Sequence, residues 1–337
     1  MPTAQPHISI LLPVYNDSRY LRRAVLSLRR QSFPDWELLL LDDGSTDQTA
    51  ELADAFQIED ARIRSFHFSH NGIAGTLNAG LGFARGRLIA RMDADDISHV
   101  HRLGLQKGFL EDHPDICAVG CRVRIFPRRG ITTGMLVYEK WINSLVSPEE
   151  ISREIFVDAP LVHPSILARK EDLEAVGGYR PEGPEDFDLW LRLHLQGKRF
   201  AKIPRVLFFW MDRPERSTRS LPVYERDAFR RLKAIRLAQW LGPGRRILLA
   251  GKREAKRLGK LLEAEGLRIQ AYVDIDRQRI GTRWRGIPVI PYERLTEESY
   301  SGCMLLAAVG ARGARNEVRV RLEAFGLRES EDFVCIA

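Results

Sequence analysis

Leu88-Ile-Ala-Arg-Met-Asp-Ala-Asp-Asp96 sets a short apolar run directly before a tight acidic turn. Residues 88–90 read as a buried strand that delivers carboxylates to its carboxyl end. In a doubly wound α/β sheet, the crevice outside such strand ends is where ligands bind. Carboxylates there have two uses: capping the following helix, or holding a divalent cation against a phosphate. A D-x-D triplet alone does not choose between them. The rest of the chain does.

Working outward, the sequence alternates strand and helix signals. Residues 8–15 are strongly apolar, as a strand buried on both faces requires, and Asp17 or Ser18 is placed to cap a helix carrying Leu21, Val25 and Leu28. Glu37-Leu-Leu-Leu-Leu-Asp42 is a second buried strand, after which Ser45 and Gln48 have capping-box spacing. Residues 63–68 suggest a third strand, 72–84 a helix of small residues and 87–92 a fourth strand. This repetition predicts a parallel sheet with helices on both faces. Further on, residues 101–110 and 148–156 look helical, 116–126 strand-like and 130–144 irregular. Gly177-Gly178 breaks the chain before a helix over 185–196. An amphipathic helix is expected over 224–240, and Leu241-Gly-Pro-Gly244 marks a boundary. The α/β rhythm then restarts, with strands at 246–250, 269–273, 288–290 and 304–309 and a helix at 253–265.

Composition excludes several classes. At 337 residues two domains are expected, and 44% hydrophobic with 29% charged content is ordinary for a globular chain. No run approaches the roughly 20 apolar residues needed to span a bilayer. Residues 1–7 lack a signal-peptide pattern, so a cytoplasmic protein is expected. Cys117 and Cys121 read as strand neighbours, Cys303 and Cys335 as core residues, and no zinc-ligand spacing occurs. Residues 211–260 carry 15 Lys and Arg against 5 Asp and Glu, within a net charge of +7. No nucleic-acid module accompanies this basic run. It suits a solvated helix face or peripheral contact with an anionic membrane.

Five segments in order carry a resemblance: Ile10-Leu-Leu-Pro-Val-Tyr-Asn16, Leu41-Asp-Asp-Gly-Ser-Thr-Asp47, Met92-Asp-Ala-Asp-Asp96, Gly177-Gly-Tyr179 and Glu185-Asp-Phe-Asp-Leu-Trp-Leu-Arg192. Over residues 7 to about 215 the chain resembles the family 2 glycosyltransferases, inverting enzymes of the GT-A fold that use nucleotide sugars. The resemblance implies a GT-A domain with a mostly parallel sheet over 1–220. A helical linker at 221–244 and a small Rossmann-like α/β domain at 245–337 follow it.

The resemblance also assigns roles. Asp95 is the implied direct ligand of Mn²⁺ or Mg²⁺, and Asp93 contacts the ribose or metal-bound water. Asp43 accepts a hydrogen bond from the base, flanked by Pro13 and Tyr15. Asp186 is the implied catalytic base, beside Glu185 at the start of a helix. His163, in His163-Pro-Ser165, is placed near the diphosphate, and Trp190 is weighed as sugar platform against core residue. Arg192, His99 and His101 are weaker candidates, although His99 could reach the cation. The implied reaction moves one sugar from a nucleotide-diphosphate donor, UDP-linked, to a glycan or lipid-linked acceptor. Processive relatives carry membrane spans and a Gln-x-x-Arg-Trp motif; here Gln196-Gly-Lys-Arg-Phe200 ends in Phe and follows the acidic pair too closely.

Two other readings remain open. A sugar nucleotidyltransferase also places carboxylates at strand ends, but it wants a glycine-rich, lysine-bearing loop that Asn16-Asp-Ser-Arg19 does not supply. A silent nucleotide-sugar-binding module would use the tail for protein contact. That tail, with Tyr272-Val-Asp-Ile-Asp276, Gly286-Ile-Pro-Val-Ile290 and Val309-Gly-Ala-Arg-Gly-Ala-Arg315, is similar to small Rossmann-like domains appended to bacterial sugar-modifying enzymes. Arg253 stands where a phosphate loop opened by Gly251 would want its second glycine, so packing or regulation is favoured over dinucleotide binding.

Overall fold

A strand that is apolar on both faces has to be covered on both faces. A computed structural model describes residues 5–214, 221–310 and 313–337. Residues 1–4, the expected domain boundary at 220, and Ala311 and Arg312 of the 309–315 run lie outside the described residues. The chain divides into two compact units, 1–152 with 160–221 and 153–159 with 222–337.

The first unit opens with β1 (Ile8–Val14), α1 (Ser18–Arg29), β2 (Trp36–Asp42), α2 (Thr49–Glu59), β3 (Ile63–His67), α3 (Gly72–Phe83) and β4 (Leu88–Arg91). It continues through β5 (Ile97–Ser98), α4 (Arg102–Asp112), β6 (Ile116–Phe126), α5 (Thr133–Ser144), α6 (Pro148–Glu154), β7 (Leu167–Arg169), α7 (Lys170–Ala175), α8 (Glu185–Leu195) and β8 (Arg199–Met211). The eight strands form one sheet in the order β3-β2-β1-β4-β7-β6-β8-β5. Strands β3, β2, β1 and β4 are parallel, and β6 and β8 are parallel to each other. Strand β7 is antiparallel to β4 and β6, and β5 is antiparallel to β8. This is the mostly parallel α/β sheet that the sequence predicts.

Leu38 to Leu41 of β2 are fully buried, at about 1.5–3 kcal/mol of hydrophobic stabilisation each. On one face, Ile8, Ile10, Leu12 and Val14 pack with Leu21, Val25 and Leu28 of α1 and Leu103 and Leu110 of α4. A buried polar clasp fixes where β4 begins. Ser9 Oγ donates to Glu37 Oε1 at 2.7 Å and accepts from the Gly86 N–H at 2.8 Å. The Arg85 N–H and Arg64 guanidinium complete Glu37's bonding.

The second unit contains α9 (Arg226–Leu241), β9 (Arg246–Ala250), α10 (Arg253–Ala264), β10 (Arg268–Val273), β11 (Arg283–Trp284), β12 (Ile287–Ile290), β13 (Met304–Ala307), α11 (Ala314–Ala324) and β14 (Phe333–Cys335). Its sheet runs β11-β12-β10-β9-β13-β14, parallel except at β11. The first strand, β9, therefore lies inside the sheet, with later strands wound to either side.

Several local expectations are corrected. Residues 130–144 contain helix α5, whose Thr132 side chain accepts the Met135 N–H at 3.2 Å. Only Ile142 of that helix is buried, so it carries little apolar periodicity. The Ser45–Gln48 capping box does not form, because Ser45 Oγ accepts the Asn16 N–H instead. Asp17 stands at the N-cap of α1 without a capping bond. Strand β8 hides its pattern because its register with β6 skips Pro204 and Arg205. All four cysteines are free, and burial pushes the Cys121 thiol up to about 11.

No helix among the described residues is long and apolar enough to cross a membrane.

A Cβ at Gly86 would sit 2.6 Å from Ser9 N and 2.8 Å from the Ile8 carbonyl carbon, both backbone atoms that cannot give way. Gly86→Ala is expected to lower unfolding free energy in urea by about 1–3 kcal/mol. Gly82→Ala, which meets nothing within 4 Å, should leave it unchanged or slightly higher.

Candidate functional site

The carboxyl ends of β1, β2 and β4 lie side by side, so the loops that follow them share one rim. Asn16 takes a left-handed φ of 51° after β1. Its side-chain oxygen accepts the Thr46 N–H at 2.8 Å and the Asp47 N–H at 3.3 Å. This ties the β1 loop to the β2 loop.

Asp42 and Asp43 point to different tasks. Asp42 shapes its own turn, accepting Ser45 N–H through Oδ1 and meeting His67 through Oδ2. Asp43, 4% exposed, accepts the Asn71 N–H at 2.8 Å and the Gly72 N–H at 3.0 Å at the start of α3. Its carboxylate thus complements the positive end of that helix. His70 Nδ1 lies 2.9 Å from Asp43 Oδ2, and the half-exposed Tyr15 ring stacks on the His70 ring at 4.3 Å. Tyr15, His70 and Asp43 form one patch on the rim. Pro13, in β1, is half-buried. His70 escaped the sequence reading, since an isolated histidine in a loop carries no pattern.

The turn after β4 gathers Asp93, Asp95 and Asp96, with one oxygen from each lying within 4.8 Å of the others. Three hard oxygen donors on a short turn fit a divalent cation such as Mg²⁺ or Mn²⁺. Like charges this close need compensation. At about 4 Å two unit charges repel by ~1 kcal/mol in water and ~4 kcal/mol at an effective dielectric of 20. Each acid has a partner of its own. Asp93 pairs with Arg91, Asp96 Oδ1 accepts the Met211 N–H at 2.7 Å, and Asp95 Oδ2 lies 2.7 Å from Arg213 Nε. Arg213 also forks onto Asp17, at 2.9 and 2.7 Å. Burial opposes the charge on Arg213, but Asp95 and Asp17 outweigh it and hold its pKa above the ordinary value.

Arg91 is 2% exposed. Burial works against its charge; Asp93 first, then Glu185 and Tyr179, favour it and raise its pKa. His163 is buried beside this group, with Nε2 3.2 Å from Tyr179 Oη and Nδ1 3.9 Å from Glu185 Oε1. Burial, assisted by Arg91, drives its pKa well below the usual imidazole value, so His163 is neutral at physiological pH. Tyr179 is set by Asn78, which accepts its N–H at 2.8 Å and donates to its carbonyl at 2.9 Å. Arg192 bonds Asp188, Val176 O and Gly178 O, locking the Gly177-Gly178 turn to α8.

Asp186 stands partly exposed in the first turn of α8, where its Oδ1 accepts the Phe187 N–H at 2.7 Å. Trp190 takes the core alternative. It is 0% exposed, edge-on to His163 at 5.9 Å and to Phe200 at 5.7 Å, so it has no free ring face for a sugar. His99 accepts the His101 N–H on Nδ1 and stands outside the acidic group. Arg91 and Asp96 lay inside the quoted stretch with no role assigned. Arg213 had no signal beyond its place in a basic run.

Comparison with known proteins supplies a family. The model of Glycosyl transferase family 2 matches residues 9–177. EpsE of Bacillus subtilis strain 168, itself assigned as a glycosyltransferase only provisionally, is 32% identical over 209 residues, 60% of this chain and 72% of EpsE. Chondroitin synthase of Pasteurella multocida strain Pm70 is 30% identical over 206 residues, 60% of this chain but 20% of that enzyme. Among solved structures, S. aureus TarS 1–349 in complex with UDP-GlcNAc has a TM-score of 0.57 at 19% identity, covering 77% of this chain and 71% of that one. The mannosyltransferase PcManGT from Pyrobaculum calidifontis, in complex with GDP-Man and Mn²⁺, scores 0.50 at 21% identity, covering 71% and 64%. At these identities the structural likeness establishes the GT-A fold.

Because Asp43 closes the start of α3, Asp43→Ala is expected to cost about 0.5–2 kcal/mol of stability without any ligand, and Asp43→Asn less. Urea unfolding of the three proteins checks this. An unchanged midpoint in Asp43→Ala would show that the carboxylate does not hold the helix.

Proposed function

The chain belongs to glycosyl transferase family 2, and we propose that it is an inverting transferase that moves one sugar from a UDP-linked donor to a hydroxyl of a glycan or lipid-linked acceptor. The observation that carries this is the acidic group Asp93, Asp95 and Asp96, set at the end of a central strand that runs parallel to β1. A nucleoside diphosphate is a leaving group of concentrated negative charge. Asp95 and Asp93 are the residues that would hold Mn²⁺ or Mg²⁺, and a bound cation supplies Lewis-acid neutralisation of the diphosphate as the sugar–phosphate bond breaks. The Mn²⁺ and GDP-Man of PcManGT and the UDP-GlcNAc of TarS support donor chemistry of this kind.

Tyr15, with His70 behind it, offers a ring for the base, and Asp43 an acceptor for its N–H. Asp186 takes the proton of the acceptor hydroxyl. The acceptor oxygen then forms its bond to the anomeric carbon from the face opposite the donor phosphate. The anomeric C–O bond breaks, and its electron pair leaves with the nucleoside diphosphate. Glu185 favours the charge on buried Arg91, and His163, itself neutral, lies beside Glu185. A positioned general base contributes typically about 10²–10⁴-fold to rate. Single transfer fits a chain without the Gln-x-x-Arg-Trp segment.

Asp186→Asn is expected to lower kcat by at least about 10²-fold while leaving nucleotide binding intact, and the wild-type product should show inverted anomeric configuration by NMR. Intact turnover in Asp186→Asn, or a retained anomer, would refute the mechanism.

A cytoplasmic protein at the membrane face is the accompanying proposal. Lys252, Arg253, Arg257 and Lys260 are exposed around α10, and basic residues near an anionic surface contribute about 1 kcal/mol each. Flotation with liposomes should increase with anionic lipid; flotation indifferent to lipid charge would overturn this.

A further inference from the structure

The acidic turn carries its own cation. Arg213, two residues beyond the end of β8, spends all three guanidinium nitrogens on acids at the donor rim. Nε goes to Asp95 Oδ2 at 2.7 Å, Nη1 to Asp17 Oδ1 at 2.9 Å and Nη2 to Asp17 Oδ2 at 2.7 Å. Its guanidinium also lies 5.0 Å from the centre of the Tyr20 ring. A planar fork matched to a carboxylate is the geometry in which arginine binds most specifically.

The surrounding strand is built to place it. Met211 N–H donates to Asp96 Oδ1, and Asp212 N–H donates to Phe126 O at 2.7 Å. The last residues of β8 are thereby fastened to the acidic turn on one side and to β6 on the other. The side chain of Arg213 continues that contact onto Asp95. Arg23 supplies a useful contrast. It approaches the same residue, but its Nη2 donates to the Asp95 backbone carbonyl at 2.9 Å and leaves the carboxylate alone.

We propose that Arg213 is a resident counter-cation of the donor site: it neutralises Asp95 while the site is empty and must release Asp95 when a divalent cation binds. The inference rests on the reading of Asp95 as a cation ligand. Its physical basis is competition for one carboxylate. A divalent ion gains Asp95 Oδ2 only by displacing the guanidinium nitrogen that sits 2.7 Å from it, and Asp17 keeps the displaced guanidinium close by. Arg213 therefore sets the affinity of the site for its metal. It lowers that affinity when no donor is present, and it keeps an uncompensated cluster of carboxylates from being exposed to stray cations.

The test is a titration of the metal-free protein with Mn²⁺, read by water-proton relaxation, which needs neither donor nor turnover. Wild type, Arg213→Ala, Arg213→Lys, Arg23→Ala and Asp95→Ala would be compared, each first shown to melt cooperatively. Arg213→Ala is expected to bind Mn²⁺ about tenfold more tightly than wild type, which is ~1.4 kcal/mol. Arg213→Lys, which keeps the charge without the fork, should fall between. Arg23→Ala should change little, and Asp95→Ala should lose binding. Equal affinity in wild type and Arg213→Ala, or an equal gain in Arg23→Ala, would overturn the proposal while leaving Asp95 as the ligand. Absence of Mn²⁺ binding in every protein would overturn both.

Discussion

Three carboxylates on one turn cannot stand together without compensation, and the donor rim is organised around meeting that need. Asp93, Asp95 and Asp96 follow β4, a strand buried along its whole length, so the turn cannot move away from the sheet to relieve repulsion. The chain meets the charge from both sides. Buried Arg91 answers Asp93 from beneath, and Arg213 answers Asp95 from the end of β8. Arg91 also carries the influence of the turn to Glu185 and Tyr179, and through them to His163. The acidic turn, the Gly177-Gly178 break and the start of α8 are therefore one electrostatic assembly.

That assembly depends on where β4 starts and how the neighbouring loops are held. Ser9 and Glu37 clasp the turn at Gly86, fixing β4 against β1. Asp43 closes the start of α3, and Asn16 ties the first loop to the second. The bonds from the Gly86, Arg85, Asn71 and Gly72 N–H groups are buried or partly buried, so their loss leaves donors unsatisfied as well as loops unfastened. Several residues that the family resemblance links to substrate are thus also structural. Asp43 is the clearest case, since one carboxylate both holds a helix and faces the Tyr15–His70 patch.

Much of this was legible in the sequence, for physical reasons that differ by element. Strands β1, β2 and β4 are short apolar runs, and β2 and β4 lead straight into acids, which leaves little else for them to be. Helix α5 and strand β8 were missed because their cues are weak. Helix α5 buries little apolar surface, and β8 is interrupted where its register skips Pro204 and Arg205. The acidic group was visible because its members are adjacent in the chain. Its counter-charges were not, since Arg213 is 118 residues beyond Asp95 and looks like any other arginine of a basic run. Trp190 stayed between core and sugar platform because an aromatic residue in an amphipathic helix does not show which face it takes. Burial against His163 and Phe200 settles that.

The most direct test of the donor site is a thermal-shift panel of nucleoside diphosphates and nucleotide sugars, with and without Mn²⁺, on wild type and Asp95→Ala. A ligand that binds only the native state stabilises it, by about 2.7 kcal/mol at a hundredfold excess over its dissociation constant. The account predicts a Mn²⁺-dependent shift with a uridine nucleotide that disappears in Asp95→Ala. A shift that survives in the variant, or one indifferent to Mn²⁺, would contradict it.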